Sequence, residues 1–534
     1  MLRFRALLPL LAVAAVTAVW AIPGAAPAQT AYVPKAQFCV LTQTPSLCST
    51  LPGNIGPDPA LFPPHGIAYS GLPGTPPPDA QRDVQTPFDN LSWQSFVALN
   101  WTAGKEGAPP SVGLAGTGPR VWETYARVSQ VFGNSAVQAN CTNVPTNLQV
   151  FSMGSTGHGY PLTQNEEYIQ AATGDPLIDV SGNWTIYERR VNAREAGYLK
   201  APLGAGKGDL TTQGGQLRFV ANKGNVDFPS AGSTPTGAIE IKAAWRILDP
   251  KKDNLASYYV VNGFLKVSPD LTTDGRPICQ PVTLGLVAMH IIQKNPPRQA
   301  GSALLPQWFW STFEHVDNAP MAFAACDPAR AIACPLLNSP SQACPPVQRV
   351  QGQYSYYNTG APNTPTNQPP VPSKLIGGAR FSWNPTEPFA QKYMTTEAGK
   401  PVGTQVSRCW QTYSMTRDLN TQWRAQLKAA GSPFQNYMLV GTQWAGDITN
   451  TPTPKIPSNG VPSYLSNTVV ETYIQTSHGP GNAPGSCVAC HQFATLPVSQ
   501  PQPQSDLSFL PGLAQPDQIR RPPLPPTAMT GPVH

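Results

Sequence analysis

Apolar positions recur at helical spacing in three stretches of the chain and at strand spacing over most of its centre. From Phe88 to Trp101 the apolar residues Leu91, Trp93, Phe96, Val97 and Leu99 predict an amphipathic helix, with Asp89 or Asn90 as its cap. Leu419, Trp423 and Leu427 share one helical stripe that stops at Gly431, a residue suited to closing a helix. Leu465, Val469 and Tyr473 predict a short third helix, Leu465 to Gln475.

The centre reads as strands. Tyr258–Val261 and Phe264–Val267 flank Asn262-Gly263, which predicts a hairpin with a type I′ turn. Leu177–Val180 and Trp184–Glu188 predict a second hairpin with a longer loop. Ile241–Leu248 fits strand or helix by period alone. Pro281–Ile292 is apolar on both faces and predicts a central, buried strand, and the aromatic run Gln307–Asn318 predicts another extended segment. Simple alternation puts His290 with Leu284, Leu286 and Ala288, and Met289 on the other face. Likewise His315 goes with Phe309, Ser311 and Phe313, and Glu314 with Trp308 and Trp310. Tyr437–Trp444 predicts a further strand, and no internal repeat is evident.

The expected fold class is therefore α+β: a β-rich central body over 86–460, and a short helical C-terminal segment over 461–500. A proline-rich lead-in (29–85) and tail (501–534) flank them. Composition agrees. Pro (62) and Gly (45) make the chain loop-rich, yet 40% hydrophobic residues and 12 Trp supply a large core. The formal charge of +6 is not clustered, so no nucleic-acid footprint is present.

The N-terminus orders Arg3 and Arg5, an apolar run to about Ala21, and Ala26-Pro-Ala28, the layout of a cleaved signal peptide over 1–28. The apolar run is shorter than the ~20 residues of a membrane span. The expectation is an exported protein, periplasmic or secreted in a bacterium, with no integral membrane segment after cleavage. Ten cysteines fit that compartment: leaving out Cys487 and Cys490, eight remain for disulfides, Cys39 with Cys48 among the expected pairs.

The chemistry centres on Cys487-Val-Ala-Cys490-His491. Two thiols separated by two residues on a helical turn add across the two vinyl groups of a haem. The following histidine then supplies the proximal nitrogen to iron. A thioredoxin-like pair would follow a central strand, whereas the segment Gly479–Ser486 contains Pro and Gly. A structural zinc site would need a second close Cys or His pair, and there is no other Cys-x-x-Cys. The motif predicts one covalent haem c.

Only 43 residues follow His491, and Met529 and His534 lie in the proline-rich tail. The far side of the iron must then come from upstream. Among seven histidines, His65 and His158 sit in Gly- and Pro-rich loops, and His478 is only nine residues before Cys487. His290 and His315 remain, ahead of Met289 and Met438. The expected metal ligands are His491 and His290, with Glu314 and His315 as an acid–base pair if the iron does chemistry.

Val440-Gly-Thr-Gln-Trp444, Ser466–Tyr473, Trp308–Asn318 and the C-terminal haem motif together resemble a bacterial family of large, exported single-haem proteins, the "cytochrome c family protein". The resemblance runs from about Phe88 to Phe493 and implies haem attachment and export, without a substrate. Two functions follow as expectations. One is single-electron transfer to a redox partner protein. The other is a haem-dependent oxidoreductase, peroxidase- or oxygenase-like, that takes a small-molecule substrate in the β-rich body.

Overall fold

β-branched and aromatic runs dominate the centre of the chain, and in the computed structural model they pair into one large sheet. The structure describes residues 46–52 and 79–515, the latter with internal breaks, the longest at 155–167, 323–343, 371–380, 446–459 and 476–484. The expected signal peptide, Cys39, Cys326, Cys334, His65, His158, His478, Met529 and His534 lie outside the described residues.

Among the described residues the sheet has nine strands. Antiparallel neighbours run in the order β1 (Ala126–Arg127), β3 (Ile186–Val191), β4 (Ile239–Leu248), β6 (Ile278–Lys294), β7 (Trp308–His315), β8 (Tyr437–Ala445) and β9 (Gly460–Val461). β5 (Val260–Val267) pairs with the first part of β6, and β2 (Gln149–Met153) lies parallel to β5. The architecture is α+β with a β-rich body, as expected.

The 17-residue β6 is the spine. One edge pairs with β4, while the other passes from β5 to β7 near Val287. A bulge there sets Ala244 against Ala288 but Trp245 against Leu286, leaving Val287 over. The extra residue switches faces. Leu284 and Leu286 join Met289 and Ile291 in one core, whereas Ala288 and Val287 belong to another. This corrects the simple alternation: His290 does not share its face with Leu284 and Leu286, because one unpaired residue reverses the parity.

One face of the sheet is covered by α1 (Asp79–Leu99) and α4 (Ser414–Ala429). Phe96 stacks on Phe313 and Trp93 on Trp423. Asp89 and Asn90 lie inside α1 rather than at its cap, since their side chains bond across the interface: Asp89 to Thr416 and Thr442, Asn90 to the Trp423 indole N–H. α4 closes as expected, with Gly431 at φ +70° and Ser432 N–H donating to the Leu427 carbonyl. Of two shorter helices, α2 (Ala193–Leu199) packs on β3 and β4, and α3 (Gln213–Ala221) bonds to the C-terminal segment, Gln216 donating to the Pro511 carbonyl and Gln213 N–H to that of Gln515.

Three further expectations are corrected. Asn262-Gly263 is no turn: β5 runs through it, paired to Thr283 and Val282. Glycine is needed there for closeness rather than positive φ, because a Cβ would stand 2.9 Å from Leu284 and 3.2 Å from Phe151. The stretch 465–475 forms no α-helix, only turns and a 3₁₀ segment Thr472–Ile474. The Thr472 hydroxyl takes the Thr468 carbonyl that a continuing helix would use. Finally, the proline-rich tail is structured as far as Gln515: Leu510 and Pro511 are buried, and Leu496 and Ser505 pair the tail back onto the haem-motif segment. The hairpin-like return at Asp179–Asn183 is present, with Gly182 at φ +83°.

Candidate functional site

The Cys-x-x-Cys-His motif forms a one-turn helix, α5 (Cys487–His491), seated on the face of the sheet opposite α1 and α4. Ser486 caps it by accepting from Ala489 N–H. Gln443 of β8 holds its start, accepting from Val488 N–H at 2.9 Å and donating to Ser486 Oγ at 3.1 Å. Val488 is fully buried among Trp308, Trp310, Ile292, Leu496 and Leu510. The motif is thus anchored by one valine and one glutamine, leaving both thiols and the imidazole outside that anchor.

Cys487 and Cys490 are free, whereas Cys141–Cys279 and Cys344–Cys409 are disulfide-bonded and Cys48 is also bridged. Burial pushes the Cys487 thiol well up and Cys490 up to about 11, with Glu471 adding to both. A thiol–disulfide catalyst needs the opposite shift.

His491 Nδ1 lies 2.7 Å from the Leu507 carbonyl. A carbonyl only accepts, so Nδ1 carries the proton and Nε2 presents its lone pair. Burial outweighs that bond and lowers His491 to about 4, so the ring is neutral at pH 7. Leu507 and Asp506 hold φ values of +65° and +53°, a conformation that side chains rarely adopt. Asp506 is pinned by Lys294, Trp308 Nε1 and Phe228 N–H. The strained turn aims the carbonyl at the histidine, the orienting contact typical of a metal-ligating imidazole. The rings of Trp310 and Phe509 lie 5.6 and 5.1 Å from His491.

Beside the motif opens a cavity walled by charged and aromatic side chains. Arg189, Lys242, His290, Glu471, His491 and Phe509 are among its lining residues. The structure therefore brings His290 and His491 to one cavity. His290 Nε2 is buried, with Glu471 Oε2 at a long 3.4 Å as its partner. Burial pushes Glu471 up, but His290 and Lys242 together hold it below the usual carboxylate range.

Glu314 and His315 are not in this cavity. Glu314 is wholly buried and bonded to Arg408 and to Thr468 N–H and Oγ1. His315 stacks on Tyr258, donates from Nε2 to the Ser257 carbonyl and accepts Asp317 N–H at Nδ1. Both of its nitrogens are engaged. Met289 packs in the α1-side core.

The chain's own atoms fit a covalent haem: two free thiols on a helical turn, an imidazole with Nε2 free, and a second imidazole in the same cavity. Three cationic side chains there, Arg189, Arg190 and Lys242, suit carboxylate groups. Sequence reasoning missed Leu507, Asp506, Glu471, Lys242 and Arg189. No local pattern marks them, since each reaches the site from a different element. Among the described residues no group of three or more His, Cys, Asp or Glu is arranged for a bare metal ion. No helix among them is long and apolar enough to cross a membrane. No protein-family model, curated protein or solved structure matches this chain.

Proposed function

We propose that the chain is an exported monohaem c-type cytochrome that carries single electrons in the bacterial cell envelope. Cys487 and Cys490 would hold the haem by thioether bonds, His491 Nε2 would be the proximal ligand, and His290 the candidate for the sixth position. The haem supplies one-electron chemistry when bound. The chain's residues would hold it, orient the proximal ring through Leu507 and flank that ring with Trp310 and Phe509.

The observation that carries this reading is the His491–Leu507 hydrogen bond, which leaves Nε2 free in a cavity that also holds His290. Disulfides and the leader sequence support export, and the resemblance to exported single-haem proteins points the same way. The oxidoreductase alternative has less support, since Glu314 and His315 are engaged elsewhere.

The test is expression with export in a host that matures c-type haem. The purified chain should give a c-type pyridine haemochrome and keep its haem in denaturing gels. Cys487→Ala or Cys490→Ala should weaken or abolish attachment. His290→Ala should speed carbon monoxide binding to the ferrous protein. Mass spectrometry showing unmodified thiols in exported protein refutes haem attachment. Fast carbon monoxide binding already in the wild type would favour the oxidoreductase.

A further inference from the structure

Glu195 of α2 lies buried against Glu240 of β4, and Glu240 lines the same cavity. Glu195 is fully buried, and no donor from another residue reaches either of its oxygens. Its position three residues past the Asn192 cap usually sends a glutamate back to the cap's own N–H. Here the Ile239 carbonyl already takes Asn192 N–H, so the Glu195 side chain is released towards the next residue, Glu240. Glu240 is 8% exposed and lines the cavity. The two carboxyls lie within hydrogen-bonding reach of each other, with Ser508 beside Glu240, and Glu240 Oε1 like both Glu195 oxygens meets no donor.

Two carboxylates cannot hydrogen-bond unless one carries a proton. The surrounding charges do not remove that need. Arg189 of β3 acts on Glu240, Lys294 of β6 acts on Glu195, and Asp506 opposes both. Lys294 is itself committed to Asp227 and Asp506. Burial, then Glu240, drives Glu195 well above the usual carboxylate range. The other ionisable groups lining the cavity are Arg190, Lys242, Glu471, His290 and His491.

We propose that Glu195 and Glu240 share one proton at neutral pH and release it when iron in the adjoining cavity is oxidised. The redox half rests on the proposed function. The site balances charge: as one electron passes to an external one-electron acceptor, the shared proton leaves from Glu240, which lines the cavity, to water at its mouth. Reduction takes one electron and one proton back. The protein then acts as a proton-linked electron carrier.

The experiment uses the haem-loaded full chain, scanning midpoint potential between pH 5 and 9, with reduced-minus-oxidised infrared spectra. In the wild type the potential should fall as pH rises while the pair titrates. The slope is bounded by ~59 mV per tenfold change in proton activity, the one-electron limit. A protonated-carboxyl band should be gained on reduction. Glu195→Gln keeps a donor towards Glu240 and should flatten the slope and remove the band. A flat wild-type potential, or slope and band unchanged in Glu195→Gln, overturns the proposal. A wild type without haem instead refutes the proposed function and the redox link together. The shared proton is then read from infrared pH titration of the haem-free chain. A Glu195 carboxyl band at pH 7, identified by its loss in Glu195→Gln, upholds it, and its absence overturns it.

Discussion

Glu314, expected to act beside His315, is held in the core by Arg408. Their ion pair is buried on both sides, and Thr468 supplies two more donors to the carboxylate. Removing one partner of such a pair leaves an uncompensated buried charge, a loss of about 3–5 kcal/mol. Glu314→Gln should therefore lower stability by that order in urea unfolding. If the chain carries haem as proposed, the spectrum and carbon monoxide binding should be unchanged, because Glu314 does not line the cavity. A spectral change with intact stability would return Glu314 to the acid–base role. His315 is the companion case: burial lowers its pKa, and both ring nitrogens are bonded. Scarcity of histidine selected both His290 and His315, but only the fold distinguishes a ring lining a cavity from a ring stacked on Tyr258.

At the scale of elements, the junction of α1, α4 and β8 is set by Asp89, whose carboxyl accepts from Gln85, Thr416 and Thr442. Burial outweighs these bonds and raises Asp89 from 3.8 to about 6. The folded state thus binds the proton more tightly than the unfolded state. Its stabilising contribution is full below pH 4 and is lost as pH rises through 6. The shift corresponds to roughly 3 kcal/mol. Asp89→Asn removes the ionisation, so its stability relative to the wild type should rise between pH 4 and 7.5, measured by urea unfolding at both ends. A constant difference would show that the site stays hydrated. The elements themselves were legible where one period ran long enough, as in α1, α4 and β6. They were not legible at Asn262-Gly263 or at 465–475. There, close approach of Leu284 and Phe151, or side-chain capture of backbone groups, outweighed local propensity.

Across the whole molecule, Cys141–Cys279 ties the segment before β2 to the start of the central strand, closing a loop of 138 residues. Loop-closure entropy for that length gives about 5 kcal/mol as an upper figure, and native disulfides deliver 2–5. Replacing both cysteines by serine should lower stability within that range by chemical denaturation, and should leave the proposed haem attachment unaffected, since neither lines the cavity. Unchanged stability would mean that the sheet alone holds the two segments together. The same long-range closure positions the site: the cavity draws its wall from β3, β4, β6, the 465–475 stretch, α5 and the segment after it.

What the sequence determined by itself was local. Cys487, Cys490 and His491 lie within one helical turn, so their spacing alone carries the haem expectation, and the apolar runs alone carry the β-rich body. His290 was reachable by elimination, but not its orientation, because a single bulged residue at Val287 reverses which face each later side chain takes. Leu507, Glu471, Lys242, Glu195 and Glu240 were out of reach. Their roles depend on a backbone carbonyl aimed by a strained turn and on carboxyls brought together in a desolvated wall. Those are properties of pairing between distant strands, which tertiary structure decides because register and burial are set by the whole sheet rather than by any neighbouring residues.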